Sequence, residues 1–118
     1  MLTRKHDRFS AYFDPVRVSF SGDVKGVGTL YDISYGGCKV DSAVTPPLGA
    51  SVTLRFRIAK TEQPLVIGAG TVAWTVPKKY FGVKFMELQP HEEQILDRYL
   101  TLLNEWFLAS PEKGLDNR

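Results

Sequence analysis

The sequence contains one cysteine, two histidines and no long apolar run, and each scarcity excludes a class of protein. Because Cys38 stands alone, we expect neither an internal disulfide nor a cysteine-based zinc site. Reduced thiols are typical of the cytoplasm. No segment approaches the ~20 consecutive apolar residues of a membrane-spanning helix, and the charged residues 1–8 do not resemble a secretion signal. We therefore expect a cytoplasmic protein that does not insert into membranes and binds no metal.

A large net charge of either sign is also missing, since 15 basic and 13 acidic residues give a formal net charge of +2. DNA binding through bulk charge is therefore not expected, and a site for an anion needs a local group of Arg or Lys side chains. The 118 residues suit one domain, which can bury an apolar core without disulfides or metal.

Alternating apolar and polar residues predict β-strands along most of the chain. The clearest strand alternates four apolar residues with Thr53, Arg55 and Arg57, the apolar ones being Val52, Leu54, Phe56 and Ile58. Within the β-prone run 65–75, Gly68 and Gly70 predict a bulge or a bend. Regularly spaced turn residues divide the chain into roughly six strands, which favours a β-barrel or sandwich over residues 9–89.

From Pro90 the apolar period becomes helical, and Pro90 suits the first turn of a helix over residues 90–109. Glu92 and Glu93 would complement the positive end of the helix dipole. A broad apolar face predicts that this helix packs on the barrel, its members being Ile95, Leu96, Tyr99, Leu102, Leu103, Trp106 and Phe107. The polar residues 110–118 are expected to fray.

A first group of candidate binding residues is Arg4-Lys5-His6-Asp7-Arg8, directly before the predicted barrel. Each Arg presents a planar fork of donors that binds a phosphate or a guanine edge through two parallel hydrogen bonds, which Lys cannot reproduce. Two such forks four residues apart can clamp a guanine nucleotide. A solvated basic arm would have the same sequence, so this group alone leaves both interpretations open.

A second group is Asp32-Ile33-Ser34-Tyr35-Gly36-Gly37, in which Asp32 and Ser34 alternate and so project on one side of a strand end. Asp32 could accept from guanine N1 and N2, and Ser34 could donate to a phosphate oxygen. We expect Gly36 and Gly37 to adopt positive φ and let the backbone approach a ligand. The alternative is a self-capped turn, in which Asp and Ser only satisfy backbone amides.

Together, Arg4-x-x-x-Arg8 and Asp32-x-Ser34-x-x-Gly37, in an all-β chain with a terminal helix, resemble the PilZ family. Two further segments are similar to strands of that family, namely Gly70-Thr71-Val72-Ala73-Trp74 and Phe81-Gly82-Val83-Lys84-Phe85. The resemblance implies a six-stranded antiparallel β-barrel, the PilZ split barrel, with a C-terminal helix. It also implies a non-enzymatic receptor for the bacterial second messenger cyclic di-GMP, with no cofactor.

Residues 1–8 precede the first clear strand and have no apolar anchor beyond Phe9, so we expect a mobile arm that orders on the ligand. The resemblance implies that this arm wraps the ligand against the barrel. Arg4 and Arg8 would grip guanine edges and phosphates, and Lys5 would add charge near a phosphate. The ordered arm would then present the ligand to a protein effector in motility, pilus or exopolysaccharide machinery, and so act in biofilm signalling.

On the barrel, the resemblance implies that Asp32 and Ser34 read guanine and phosphate, while Gly36 and Gly37 shape the turn. Trp74 would face either the ligand or the core, and both remain open.

Two other binding modules remain as alternatives. One is a small barrel that binds single-stranded nucleic acid through exposed aromatic residues and the basic residues Arg55, Arg57, Lys78 and Lys79. The other is a PilZ-like interaction module that binds no ligand. Enzymatic activity is not expected, because His6 and His91 lie far apart and Asp32 beside Ser34 lacks the histidine base of a hydrolytic triad.

Overall fold

The computed structural model describes residues 9–10, 16–57 and 64–109, with side chains for 16–57 and 64–102. Within these ranges the chain forms seven strands and one helix. They are β1 (Phe9–Ser10), β2 (Arg17–Gly22), β3 (Gly26–Ile33), β4 (Gly37–Asp41), β5 (Ser51–Arg57), β6 (Leu65–Val76), β7 (Tyr80–Phe85) and α1 (Pro90–Ala109). The predicted arm (1–8) and tail (110–118) lie outside the described residues.

Strands β2 to β7 close into a six-stranded antiparallel barrel. The hydrogen-bonded order is β1-β3-β2-β5-β6-β7-β4, and an additional pairing of β4 with β3 completes the circle. The predicted barrel with a C-terminal helix is therefore confirmed. The short β1 was not predicted as a strand, since two residues give no alternation.

One edge of β3 pairs with two different strands, one after the other along its length. Strand β2 pairs with β3 from Gly26 to Thr29, and β1 then pairs with its far end, where Phe9 lies opposite Ile33 and Ser10 opposite Asp32. The described chain thus begins beside the end of β3 that leads into the turn at Ser34.

Much of the core is formed by the inward strand side chains that the alternation predicts. On β5, Leu54 and Phe56 are fully buried while Arg55 and Arg57 are exposed. Inside the barrel the rings of Phe20 and Phe81 pack edge to face, with centroids 4.9 Å apart. Ile58, the last apolar residue of the predicted pattern, lies outside the described residues.

The bulge predicted from Gly68 and Gly70 is present in β6. Val52 of β5 pairs with Gly70 and Leu54 pairs with Ile67, so the two residues 68 and 69 stand opposite Thr53 alone. The Thr53 hydroxyl donates to the carbonyl oxygen of Gly68 at 3.0 Å, which helps to hold the irregular segment.

Helix α1 packs on the barrel through Leu96, Tyr99 and Leu100, all of them buried. The first two were predicted, whereas Leu100 was not. The side chains of Leu103, Trp106 and Phe107 lie outside the described part. In the described ranges, no helix combines the length and the apolar character needed to cross a membrane.

Glu92, predicted only as a partner of the helix dipole, is 6% exposed and joins the helix to the barrel. Its Oε2 accepts from the Gly68 N–H at 3.1 Å, and its Oε1 accepts from the Gln89 N–H at 2.9 Å. The carboxylate therefore caps the first turn and binds the β6 bulge at once.

Candidate functional site

A β-bulge in β3 turns two neighbouring side chains outwards. Leu30 pairs with Val40 and Asp32 pairs with Lys39, so Tyr31 and Asp32 together oppose Lys39. Both are half-buried, whereas Leu30 before them is buried in the core. Strict alternation would have sent Tyr31 and Asp32 to opposite faces, so the bulge brings a ring and a carboxylate to the same surface.

A second register shift does the same in β6. Val72 pairs with Val83 and Trp74 pairs with Gly82, which leaves Ala73 as the extra residue. Ala73 and Trp74 are both exposed, whereas Val72 is buried. The indole of Trp74 therefore stands on the outer face of the barrel and not in the core.

Between these two strands lies an open pocket of about 460 Å³ on the outer face of the barrel. Its lining residues are Asp32, Ser34, Gly36, Gly37, Cys38, Lys39, Ala73, Trp74, Val83 and Lys84. The structure thus brings together all of the site residues that were predicted on the barrel, namely Asp32, Ser34, Gly36, Gly37 and Trp74. The other predicted residues, Arg4, Lys5 and Arg8, lie outside the described part of the chain.

Ser34 forms the self-capped turn that the sequence offered as an alternative. The residue is 1% exposed, and its Oγ accepts from the Gly36 N–H at 3.2 Å. The hydroxyl also donates to the Gly37 carbonyl oxygen across a longer 3.4 Å, while the Ser34 N–H donates to that oxygen at 2.8 Å. The side chain therefore fixes the corner of the pocket through local hydrogen bonds.

The expected positive φ at Gly36 and Gly37 is wrong, because among the described glycines positive φ occurs at Gly22 and Gly49. Gly37 is needed for another reason, since a Cβ there would lie 2.2 Å from the carbonyl oxygen of Val83. At Gly36 the nearest atom to such a Cβ is Ser34 Oγ, at 4.0 Å. Close pairing of β4 with β7, and not the backbone angle, therefore requires glycine at 37.

Neighbouring elements hold the turn at Ser34 from two sides. The Phe85 N–H donates to the Gly36 carbonyl oxygen at 2.8 Å, which ties the turn to the end of β7. The hydroxyl of Tyr35 donates to Oδ1 of Asp97 in the middle of α1. The corner of the pocket is consequently connected to both the barrel and the helix.

Sequence reasoning missed two lysines that line the pocket, Lys39 and Lys84. It also missed two tyrosines that border the pocket, Tyr31 and Tyr80. The Lys39 ammonium lies 3.9 Å from the ring centroid of Tyr31 and 4.1 Å from that of Tyr80. The outward direction of Lys39 could have been found, because it alternates with the buried Cys38 and Val40. Its ring partner Tyr31 could not, because the outward position of Tyr31 depends on the bulge in β3.

The fold and the site geometry together define a class of protein, namely a six-stranded barrel with a terminal helix and a pocket on its outer face. The family model of the PilZ domain matches residues 2–102. The chain belongs to the PilZ domain family.

Solved structures show the same fold at low sequence identity. The PilZ domain of YcgR from Escherichia coli, solved with c-di-GMP, is similar with a TM-score of 0.71 and 16% identity over 88% of this chain and 93% of that one. The PilZ domain of CeSA from a cellulose-synthesizing bacterium gives a TM-score of 0.66 and 14% identity over 83% of this chain and 98% of that one.

A third similar structure is MotI/DgrA, the inhibitor of motility of Bacillus subtilis, with a TM-score of 0.63 and 22% identity over 84% of this chain. The match spans only 50% of the MotI/DgrA chain. No curated protein matches this sequence.

Proposed function

We propose that this chain is a receptor domain that binds cyclic di-GMP in the pocket beside Ser34 and transmits the signal to a protein partner, without catalysing a reaction. The observation that carries the proposal is the pocket itself, which brings together residues of β3, of the turn after it, of β4 and of β6, namely Asp32, Ser34, Gly36, Gly37 and Trp74. The YcgR PilZ domain, solved with c-di-GMP, supports the choice of ligand.

Each part of the pocket offers a group that suits this ligand. The Asp32 carboxylate can accept from the N1 and N2 donors of guanine, and the Trp74 indole offers a face for a purine. The 3.4 Å contact of Ser34 Oγ with the Gly37 carbonyl is long, so a ligand phosphate can replace it while Oγ still accepts from Gly36.

The position of β1 supports a role for the arginine arm. Phe9, which follows Arg8 in the sequence, is the register partner of Ile33, one residue from Asp32. If the same pairing continues by one residue in the ligand complex, Arg8 comes to lie beside Ser34. We propose that Arg4 and Arg8 then bind the ligand on the side that faces away from the barrel. Lys5 would add positive charge.

We propose that the arm becomes ordered on the ligand, which requires several contacts. Fixing five residues from 4 to 8 costs roughly 1–2 kcal/mol each in backbone entropy. Hydrogen bonds to charged groups contribute about 1.5–3 kcal/mol each, and two Arg forks on a doubly charged ligand supply enough of them. Binding and ordering would therefore occur together, and the ordered arm would form the surface for a cytoplasmic effector of motility, pilus or exopolysaccharide machinery.

Isothermal titration of the whole chain with cyclic di-GMP, GTP and cyclic di-AMP tests the ligand. We expect heat of binding with cyclic di-GMP and much weaker binding of the other two. Arg8→Ala should abolish measurable binding and leave the circular dichroism unchanged. Equal affinity of Arg8→Ala and the unmodified chain would refute the arginine clamp.

A matched pair of serines separates ligand contact from turn stability. Ser42 is buried like Ser34, and its Oγ likewise accepts from the N–H two residues later, that of Val44, at 3.0 Å. The Ser42 Oγ also donates to the Val27 carbonyl oxygen at 3.3 Å, and Ser42 is absent from the lining of the pocket. Ser34→Ala and Ser42→Ala should each lower stability by about 1 kcal/mol.

Only Ser34→Ala should weaken binding of cyclic di-GMP, by about tenfold. Equal affinities of the two variants would show that Ser34 supports the turn and does not contact the ligand.

The alternative nucleic-acid interface gains no support from the pocket. Arg55, Arg57, Lys78 and Lys79 are exposed, but none of them lines it. Titration with single-stranded oligonucleotides at two salt concentrations checks this alternative, because such binding weakens steeply with salt.

A further inference from the structure

A lysine ammonium is held between two tyrosine rings at the edge of the pocket. Lys39 of β4 lies between Tyr31 of β3 and Tyr80 of β7, with the centroid distances of 3.9 and 4.1 Å given above. Tyr80 in turn packs edge to face against Trp74, with ring centroids 5.7 Å apart. These four side chains therefore form a row across four neighbouring strands, from β3 through β4 and β7 to β6.

The arrangement fixes a side chain that is ordinarily flexible. A lysine stem loses rotamer entropy when it is fixed, and a cation over an aromatic ring is stabilised by attraction to the ring face. With rings on two sides, the ammonium is already positioned before a ligand arrives, so less entropy is lost on contact. Lys39 also lines the pocket, so its charge is available to a molecule bound there.

Charges around the pocket favour an anion at this point. The side chains among the lining residues that are charged at neutral pH are Asp32, Lys39 and Lys84, so two cations stand against one carboxylate. Asp32 is the register partner of Lys39, and Lys84 pairs with Gly37 on the other side of β4. A ligand whose base is read by Asp32 therefore has a phosphate within reach of a fixed cation.

We propose that the Tyr31–Lys39–Tyr80 cage holds the Lys39 ammonium as a preformed contact for one phosphate of the ligand, and that it contributes to the preference for a dianionic dinucleotide. This inference depends on the proposed function, because it names a further residue of the same site. It assigns Lys39 a direct contact and assigns Tyr31 and Tyr80 the role of positioning it.

The test is titration of cyclic di-GMP into four variants at several salt concentrations. Lys39→Met keeps the length of the stem and removes the charge, whereas Lys39→Arg keeps the charge. We expect Lys39→Met to bind about tenfold more weakly and with a shallower dependence on salt, because one screened charge pair is gone. Lys39→Arg should bind within about threefold of the unmodified chain.

Two matched variants complete the set. Lys79→Met removes a lysine from the exposed turn between β6 and β7 and should change neither affinity nor salt dependence. Tyr31→Leu removes one ring of the cage and should weaken binding by about three- to fivefold. Thermal unfolding of each variant identifies any loss that comes from stability alone.

The outcomes distinguish this inference from the proposed function. If the unmodified chain binds and Lys39→Met shows the same affinity and the same salt dependence, the cage is structural only and the inference fails by itself. If the unmodified chain does not bind cyclic di-GMP, the proposed function fails and the inference fails with it.

A measurement on the unmodified sequence covers the case in which Lys39→Met does not fold. Lysines are labelled by reductive ¹³C-methylation, and the Lys39 resonance is assigned as the one absent from Lys39→Arg. We expect this resonance to shift on saturation with cyclic di-GMP and that of Lys79 to stay in place. A stationary Lys39 resonance overturns the inference.

Discussion

The indole of Trp74 lies directly on the backbone of Gly82. These residues are register partners on β6 and β7, and a Cβ at position 82 would be 2.2 Å from Cε2 of the indole. The ring therefore covers a glycine that would otherwise leave the strand without a side-chain contact, a known arrangement for glycine in sheets. Only glycine allows the indole to lie this close to β7, on the wall of the pocket.

Gly82→Ala should displace the Trp74 ring and lower the free energy of unfolding by about 1–3 kcal/mol, because the added methyl overlaps the indole. Binding of cyclic di-GMP should weaken as well. Chemical denaturation and calorimetry measure the two effects. In a Trp74→Ala background the same substitution should cost much less, since the overlapping ring is gone. Equal costs in both backgrounds would contradict the contact.

The adjacent glycines of the turn should differ in tolerance. Gly37→Ala places a methyl against the Val83 carbonyl oxygen and should disrupt the pairing of β4 with β7, with a loss of about 3 kcal/mol or more. Gly36→Ala has no close neighbour and should lie within about 1 kcal/mol of the unmodified chain. Urea denaturation compares them, and a more damaging effect at Gly36 would contradict the described backbone.

Removing the Glu92 carboxylate should detach the start of α1 from the β6 bulge. Glu92→Ala loses the hydrogen bonds to Gly68 and Gln89, and we expect a loss of about 2–3 kcal/mol. The neighbouring Glu93 is exposed, so Glu93→Ala should change stability by about 0.5 kcal/mol or less. Hydrogen exchange should show faster opening at Gly68 for Glu92→Ala only. The same exchange rate in both variants would argue against the contact.

The hydrogen bond from Tyr35 to Asp97 should couple the pocket turn to the helix. Tyr35→Phe should cost about 1 kcal/mol. A double-mutant cycle with Asp97→Asn measures the coupling, for which we expect at least about 0.5 kcal/mol. Additive effects of the two substitutions would mean that the turn and α1 do not support one another through this pair.

Much of the barrel could be predicted from the sequence, because its strands bury one face and so alternate in polarity. The pattern around Leu54 and Phe56 gave β5, and the paired glycines gave the bulge in β6. The strand β1 and the buried role of Glu92 could not be predicted. Both depend on segments distant in the sequence, and neither produces a periodic pattern.

The site was predictable only in part. Motifs indicated Asp32, Ser34 and Trp74, and the structure places them around one pocket. The cage around Lys39 was missed because the bulge at Tyr31 shifts that residue onto the face of its neighbour, which a rule of strict alternation assigns to the opposite side. The predicted positive φ of Gly36 and Gly37 was wrong, and glycine is required at 37 because β7 crowds that position, not because the chain reverses there.

The register shifts in β3 and β6 also separate the residues that shape the outer face of these strands from the residues that pack in the core. Tyr31 and Ala73 are supernumerary positions, absent from the pairing with β4 and β7 and absent from the core. Ala73 lines the pocket and Tyr31 contacts the Lys39 ammonium beside it, so substitutions at these two positions can alter the outer surface while the interior of the barrel keeps its packing.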